Sequence, residues 1–197
     1  MLGNRKDNSI DNSGYNAGVM VADNKGTINI SIDNGKPAYS LIANLVRELG
    51  MRCPDSEDDN ENYIPYKIND KIAYNCVIKY RGIIKEYYKY GSTCEEYFNI
   101  LDNSSIGSKV KILRHIKYLY IICKGSILLE YKDKKLDEID VIRENADRLI
   151  DMVKNQIQLL INDSKLYLET NAEEISFGLT IIVCYCFVEC KILEKPI

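Results

Sequence analysis

Histidine is nearly absent from this chain, since His115 is the only one among 197 residues. A catalytic or metal-binding histidine needs a nucleophile, a carboxylate or further ligands in a recognisable arrangement. The residues around His115 form no such motif. We therefore expect His115 to lie at the edge of the apolar stripe of a helix, without a chemical role.

Catalytic sequence motifs are absent as well. The chain contains no Walker motif, nucleophile elbow, H-E-x-x-H helix, paired nuclease carboxylates or dinucleotide fingerprint. Gly14 and Gly18 in SGYNAGVM are followed by no Lys-Ser/Thr pair, so they indicate turns and not a phosphate loop. The sequence predicts a protein that is not an enzyme and that holds no cofactor and no metal.

The net charge does not indicate a nucleic acid as partner, and the hydropathy does not indicate a membrane span. The formal net charge of −3 gives no global attraction to phosphate groups. The longest apolar run has about fourteen residues, too few to cross a bilayer. The beginning, MLGNRKDNSI, lacks the apolar core of a signal peptide, and the seven cysteines are an odd number that suits reduced thiols. We expect a cytoplasmic protein that contacts no membrane.

The composition divides the chain into residues 1–36 and residues 37–197. The first part is rich in Asn and Gly, and two short runs of β-forming residues flank the turn sequence DNKG. This pattern predicts a small N-terminal β-hairpin or arm, whose free edge and apolar face would dock onto another chain by strand addition. The predicted partner-binding residues of the arm are Val19, Val21, Ile28, Ile30 and Ile32.

Residues 37–197 show helical periodicity, and the fold class predicted is mainly α, a bundle of five to six helices. Gly50 is predicted to stop the first helix, and Thr93 with Glu96 forms a candidate capping box for a short helix. The other predicted helices span residues 68–90, 108–131, 136–161 and 173–193. Among the side chains expected to face the core are Cys76, Val110 and Ile121.

The last predicted helix, 173–193, is apolar on every side, so periodicity alone does not separate a buried helix from a buried strand. Its length exceeds that of a usual strand and Asn171 suits an N-cap, so we predict a central helix. On a helix Cys184 lies roughly 200° from Cys186, whereas a strand would place them and Cys190 on one face. We interpret the three cysteines as small apolar side chains of the core.

The densest basic set lies in the predicted helix 108–131. Lys111, Arg114, Lys117 and Lys124 fall near one side of this helix. Such a face can bind phosphates, but the solvated side of an ordinary amphipathic helix has the same pattern. Both interpretations stay open.

The acidic stretch 55–61, DSEDDNE, contains the closely spaced oxygen ligands that Ca²⁺ prefers. It lacks the glycine and the final glutamate of an EF-hand loop, and prolines lie on both sides of it. We expect a solvated loop here.

Within the helical body, residues 37–197, three stretches carry more information about function than composition does: DKIAYNCVIKYRGIIKEYYKYG, KVKILRHIKYLYIICKG and VCYCFVECKILEKP. Together they resemble the C-terminal domains of bacterial ABC-three-component systems, the anti-phage group that includes Lamassu. The matching positions are Lys71, Ile72, Tyr74 and Asn75, then Ile112, Leu113, Ile116 and Tyr120, then Phe187, Cys190, Lys191, Glu194 and Pro196.

The resemblance covers residues 68–196 and implies an association module. Members of the family attach this domain to an effector and join it to a middle component and a Rad50-like coiled-coil ATPase. Only the arm precedes the helical body here, so we expect an adaptor or oligomerisation subunit of an anti-phage defence complex, with the effector on another chain. The resemblance also implies that Cys190 packs inside and that Lys191 faces a helix C-terminus.

The alternative hypothesis for the function is a nucleic-acid-binding phage or plasmid regulator. Such a regulator would use the basic helix face from Lys111 to Lys124, and its binding would weaken as salt increases. The acidic net charge argues against nucleic acid as a partner by itself. A homo-oligomer is the remaining assembly that an association module can form.

Overall fold

The computed structural model describes residues 39–51, 66–164 and 170–196. The secondary structure of these residues is helical, with no strand among them, so the predicted mainly α fold is confirmed for this part of the chain. Outside it lie the acidic stretch 55–61 and the predicted arm with Val19, Val21, Ile28, Ile30 and Ile32. The hairpin therefore stays a prediction.

The helices follow one another through short connections. They are α1 (Leu41–Met51), α2 (Tyr66–Tyr74), α3 (Arg81–Tyr87), α4 (Gly91–Ser104), α5 (Ser108–Glu130), α6 (Glu138–Glu144), α7 (Ala146–Asn162) and α8 (Ala172–Val188). A 3-10 turn, Tyr88–Tyr90, joins α3 to α4. The predicted helix 108–131 agrees with α5 to within a residue at each end.

Helix α8 forms the centre of the core and packs against α1, α3, α4 and α7. Its residues from Ile181 to Phe187 are all buried, as are Ile175, Gly178 and Leu179. A helix that is apolar on every side is stable in water only when other elements surround it. The prediction of a helix in place of a strand is confirmed, although the helix ends at Val188, before Cys190.

Helices α1 and α8 touch through their backbones. A Cβ atom added to Gly178 would lie 1.9 Å from the carbonyl oxygen of Val46, and one added to Gly50 would lie 2.0 Å from that of Glu174. Only glycine leaves room for such an approach. Helix α1 ends at Met51, one residue after the predicted stop at Gly50, and Gly50 also takes part in this contact.

The predicted continuous helix 68–90 is broken between α2 and α3. Cys76 has a φ of 55° and is exposed, so its predicted inward position is wrong. The carboxylate of Asp147 in α7 accepts the free backbone donors at the start of α3. These donors are the N–H groups of Ile78, Lys79 and Tyr80. A contact with a distant helix thus ends the local helical pattern, as capping groups do.

Two further predictions about helix ends are wrong. The predicted helix 136–161 is divided at Asn145, whose side-chain amide donates to the Val141 carbonyl and to the Tyr131 hydroxyl. Helix α4 begins at Gly91, so Thr93 lies inside its first turn and is not the N-cap of a capping box. Side chains that bind nearby backbone groups compete with regular helix, and this explains the break at Asn145.

Candidate functional site

The three stretches that carry the family resemblance meet at the C-terminal end of α8. The chain turns after Val188, with left-handed φ values of 54° at Cys190 and 61° at Leu193. This turn brings Glu194 to α2 and α5. We call the residues whose side chains hold the C-terminal segment there the Glu194 cluster: Lys71, Asn75, Tyr120, Lys124 and Glu194.

The side chain of Asn75 both donates a hydrogen bond to the backbone of Glu194 and accepts one from it. Its amide nitrogen donates to the Glu194 carbonyl at 2.8 Å, and its amide oxygen accepts the Glu194 N–H at 3.0 Å. The same nitrogen donates to the Lys71 carbonyl at the end of α2. Asn75 is fully buried, and its paired amide offsets the cost of burying these polar groups.

The Glu194 carboxylate binds two side chains of α5. It accepts the Tyr120 hydroxyl at 2.7 Å and the Lys124 ammonium at 3.2 Å. Burial alone would raise the pKa of Glu194, but these hydrogen bonds outweigh burial and hold the pKa below its usual value. Burial and the hydrogen bond to Glu194 raise the pKa of Tyr120. The carboxylate therefore stays charged at neutral pH and holds the C-terminal segment on α5.

Lys71 is a buried lysine whose ammonium binds the end of α8. It donates to the carbonyl oxygen of Phe187 and, at 2.9 Å, to that of Ile192. Burial lowers the pKa of Lys71 to about 8, and the neighbouring Cys190 opposes this shift in part. A lysine at this point neutralises the carbonyls that a helix C-terminus leaves without partners.

The Glu194 cluster is complete within the fold. None of its buried side-chain nitrogen or oxygen atoms lacks a hydrogen-bond partner. A polar cluster that satisfies itself fixes a unique packing and leaves no group free for a ligand. We assign it the structural role of joining the C-terminal segment to α2 and α5.

The cysteines of the last stretch lie in two different environments. Cys184 and Cys186 are buried within α8, which confirms their predicted place in the core. Burial raises the pKa of Cys184 to about 12 and also raises that of Cys186, so both remain neutral thiols. Cys190 lies half-buried in the turn after α8, so its predicted helical face and full burial are wrong.

The structure separates the predicted basic set of α5 into two groups. Lys124 pairs with Glu138 and Glu194, and Lys117 lies over the ring of Tyr120, with its pKa lowered by burial. Lys111 and Arg114 are exposed, and neither forms a salt bridge with any residue of the described ranges. Of the four predicted cations, Lys124 thus binds the C-terminal segment and Lys117 packs on a ring of its own helix.

Apolar side chains occupy the solvent side of α5. We define the α5 outer face as the exposed sector that covers roughly 120° of the helix, at 100° per residue. Its members are Val110, Lys111, Arg114, Tyr118, Ile121, Ile122, Gly125 and Leu129. The five large apolar side chains among them are 47% to 68% exposed. The predicted inward positions of Val110 and Ile121 are wrong, because the core contacts the opposite side of α5.

The side of α5 that packs on the core is equally apolar. Its buried residues are Ile112, Leu113, Ile116, Leu119, Tyr120, Cys123 and Ile127. Because both sides are apolar, periodicity indicates a helix here without indicating which side is buried. The sequence contained one signal of an unusual exposed side that the prediction did not use: residues 108–129 contain no Asp and no Glu.

His115 lies at the border of the α5 outer face. It is exposed and lines a groove of about 550 Å³ between the start of α1, the first half of α5 and the end of α7. Its polar neighbours in the groove are Ser40, Lys111 and Asp163. Among the residues of the three described ranges, no three His, Cys, Asp or Glu side chains are placed to hold a metal ion.

Comparison of the chain with protein-family models, with curated proteins and with solved structures finds no match in any of the three. Within the described ranges no helix is both long and apolar enough to span a membrane. The family resemblance therefore rests on the quoted residues, several of which bind one another in the Glu194 cluster.

Proposed function

We propose that this chain is a non-catalytic association module that works as an adaptor or oligomerisation subunit of a multi-protein anti-phage defence complex. The observation that carries the proposal is the α5 outer face, where five large apolar side chains lie on one exposed side of a surface helix. Single exposed apolar residues are ordinary, whereas a contiguous patch beside polar residues marks an interaction site.

The resemblance to ABC-three-component systems supports the kind of complex. Lys71, Asn75, Tyr120 and Glu194 come from three separate stretches of the resemblance, and all four belong to one hydrogen-bonded cluster. Residues that hold a shared fold together are the ones a domain family is expected to retain. The proposed partners are a Rad50-like ATPase, a middle component and an effector on another chain.

Affinity purification of the full-length tagged chain from its native host, at physiological salt, tests the proposal. We expect mass spectrometry to recover a coiled-coil ATPase and a small companion in amounts comparable with the chain. The double variant Tyr118→Asp with Ile121→Asp places two charges on the α5 outer face and should reduce this recovery at least tenfold.

The matched control is Ile100→Asp, which introduces a charge at a similarly exposed position of α4 (47% exposed) and should leave recovery unchanged. Circular dichroism on each variant establishes that the body stays helical. Recovery of the chain alone, or only with nucleic acid that salt removes, would contradict the proposal. The predicted arm is a second candidate contact, tested by Ile28→Asp with Ile30→Asp.

A further inference from the structure

Helix α5 is basic from its first turn to Lys124. It carries Lys109, Lys111, Arg114, Lys117 and Lys124, and before Glu130 it has no acidic residue. Three of the cations are engaged inside the fold: Lys109 with Glu95, Lys117 with the Tyr120 ring, and Lys124 with Glu138 and Glu194. Lys111 and Arg114 remain, both exposed and both on the α5 outer face.

The shape of the α5 outer face fits a second helix. Its central row consists of Val110, Arg114, Tyr118, Ile121, Gly125 and Leu129, separated by four, four, three, four and four residues. Spacings of three and four residues are those with which helices pack side by side. The row is about 28 Å long at 1.5 Å per residue, which matches a partner helix of about five turns.

Gly125 gives the row a close point of approach. A Cβ atom added there would meet nothing within 4 Å, so the position is open to the outside and requires no glycine for packing within the chain. A glycine costs stability in an exposed helix, and here it leaves a shallow gap between Ile121 and Leu129. A side chain of a partner helix can fill that gap.

We infer that the α5 outer face binds an amphipathic helix of a partner protein that has an apolar seam and carboxylates along one flank. The inference deepens the proposed association function and rests on it. Five apolar side chains supply the buried contact, and Lys111 and Arg114 supply the positive charge that selects an acidic flank. Lys111 lies in the first turn of α5, near the positive end of the helix dipole, which adds to this preference.

Two other occupants fit the face less well. A nucleic acid is bound mainly through cations at its phosphates, and here two exposed cations, Lys111 and Arg114, accompany five apolar side chains. A second copy packed through the same face would bring another basic helix, whose one carboxylate, Glu130, already pairs with Arg148, so it offers no free partner for Lys111 and Arg114. Only an acidic amphipathic helix satisfies both components of the face.

Designed peptides test the inference with the full-length chain. Two fluorescent peptides of about 20 residues share a leucine seam, and one has glutamate on its flanks where the other has lysine. Fluorescence anisotropy at low salt should show at least tenfold tighter binding of the glutamate peptide, and added salt should reduce the difference. Ile121→Asp should weaken the binding of the glutamate peptide at least tenfold.

Charge reversal at Lys111→Glu with Arg114→Glu should invert the preference in favour of the lysine peptide. The matched control, Lys132→Glu with Lys135→Glu, changes the net charge equally at exposed residues beyond α5 and should leave the preference intact. Failure of the glutamate peptide to bind, or equal binding of both peptides, would overturn the inference. So would tighter binding of duplex DNA, or a dimer in sedimentation velocity that Ile121→Asp dissociates.

The outcomes also separate the inference from the proposed function. If the native complex forms and depends on Tyr118 and Ile121, but neither peptide is preferred, the acidic partner helix is wrong and the adaptor role stands. If the peptides discriminate as expected but no complex is recovered from the host, the defence-complex role is wrong.

Discussion

Helices α5 and α8 are both long and apolar, each with one internal glycine and at least one buried cysteine, yet their surroundings differ completely. The second half of α8 is buried on all sides, from Ile181 to Phe187, whereas α5 is covered on one side only. Helix α8 is therefore a core element, whereas α5 keeps an exposed apolar side. The number of neighbours a helix acquires decides between these outcomes, and the neighbours lie far away in sequence.

Their glycines show the contrast at the level of single atoms. Gly178 of α8 lies against the Val46 carbonyl, while Gly125 of α5 faces open space. The lysines at the two helices differ in the same way. Lys71, buried at the end of α8, has its pKa lowered by burial, whereas hydrogen bonds to Glu138 and Glu194 outweigh burial at Lys124 of α5 and raise its pKa.

The largest effect is expected from Gly178→Ala. The new Cβ would lie 1.9 Å from the Val46 oxygen, so α1 and α8 must separate and the core must repack. We expect the free energy of unfolding to fall by about 3 kcal/mol or more. Urea titration followed by circular dichroism measures the change. A loss below about 1 kcal/mol would show that the two helices can separate without much cost.

A smaller effect concerns the pH dependence that Lys71 confers. Its pKa is about 8 in the folded chain and 10.5 in its ordinary environment, so in this window the unfolded chain binds more protons and stability increases as pH rises. Relative to Lys71→Met, the unfolding free energy of the wild type should rise by about 2 kcal/mol between pH 7 and pH 9.5.

Comparison with the variant removes the contributions of the thiols, which act in the opposite direction because burial raises their pKa values. Lys124→Met is the matched control on α5. The raised pKa of Lys124 contributes stability that is lost only as pH rises above about 10, so its difference from wild type should be constant over the same interval. A flat difference for Lys71→Met as well would contradict the lowered pKa.

The smallest effect, and one of opposite sign, is expected from Gly125→Ala. Nothing within 4 Å opposes the added Cβ, and alanine is the better helix former. The free energy of unfolding should increase by about 0.5 to 1 kcal/mol, measured by the same urea titration. Destabilisation instead would mean that the α5 outer face is already in contact with another part of the chain.

The candidate site shows how far sequence reasoning extends. The basic character of α5 and its helical bounds could be predicted, because charge and periodicity are local properties. The pairing of Lys124 could not, because it depends on Glu194, which returns to α5 from 70 residues away. The inward prediction for Val110 and Ile121 is wrong for a similar reason, because the elements that cover the opposite side of α5 are distant from it in sequence.

The sequence by itself determined the mainly α class of the described part, the extent of α5, the helical state of α8, and the burial of Cys184 and Cys186. Hydrophobic periodicity and helix length carry this information because they reflect interactions within a few residues. Only the tertiary structure decided the break that Asp147 holds before α3, the backbone contact between α1 and α8, and the exposed side of α5. Each of these depends on a partner distant in sequence, and a local sequence pattern does not specify which distant residue makes the contact.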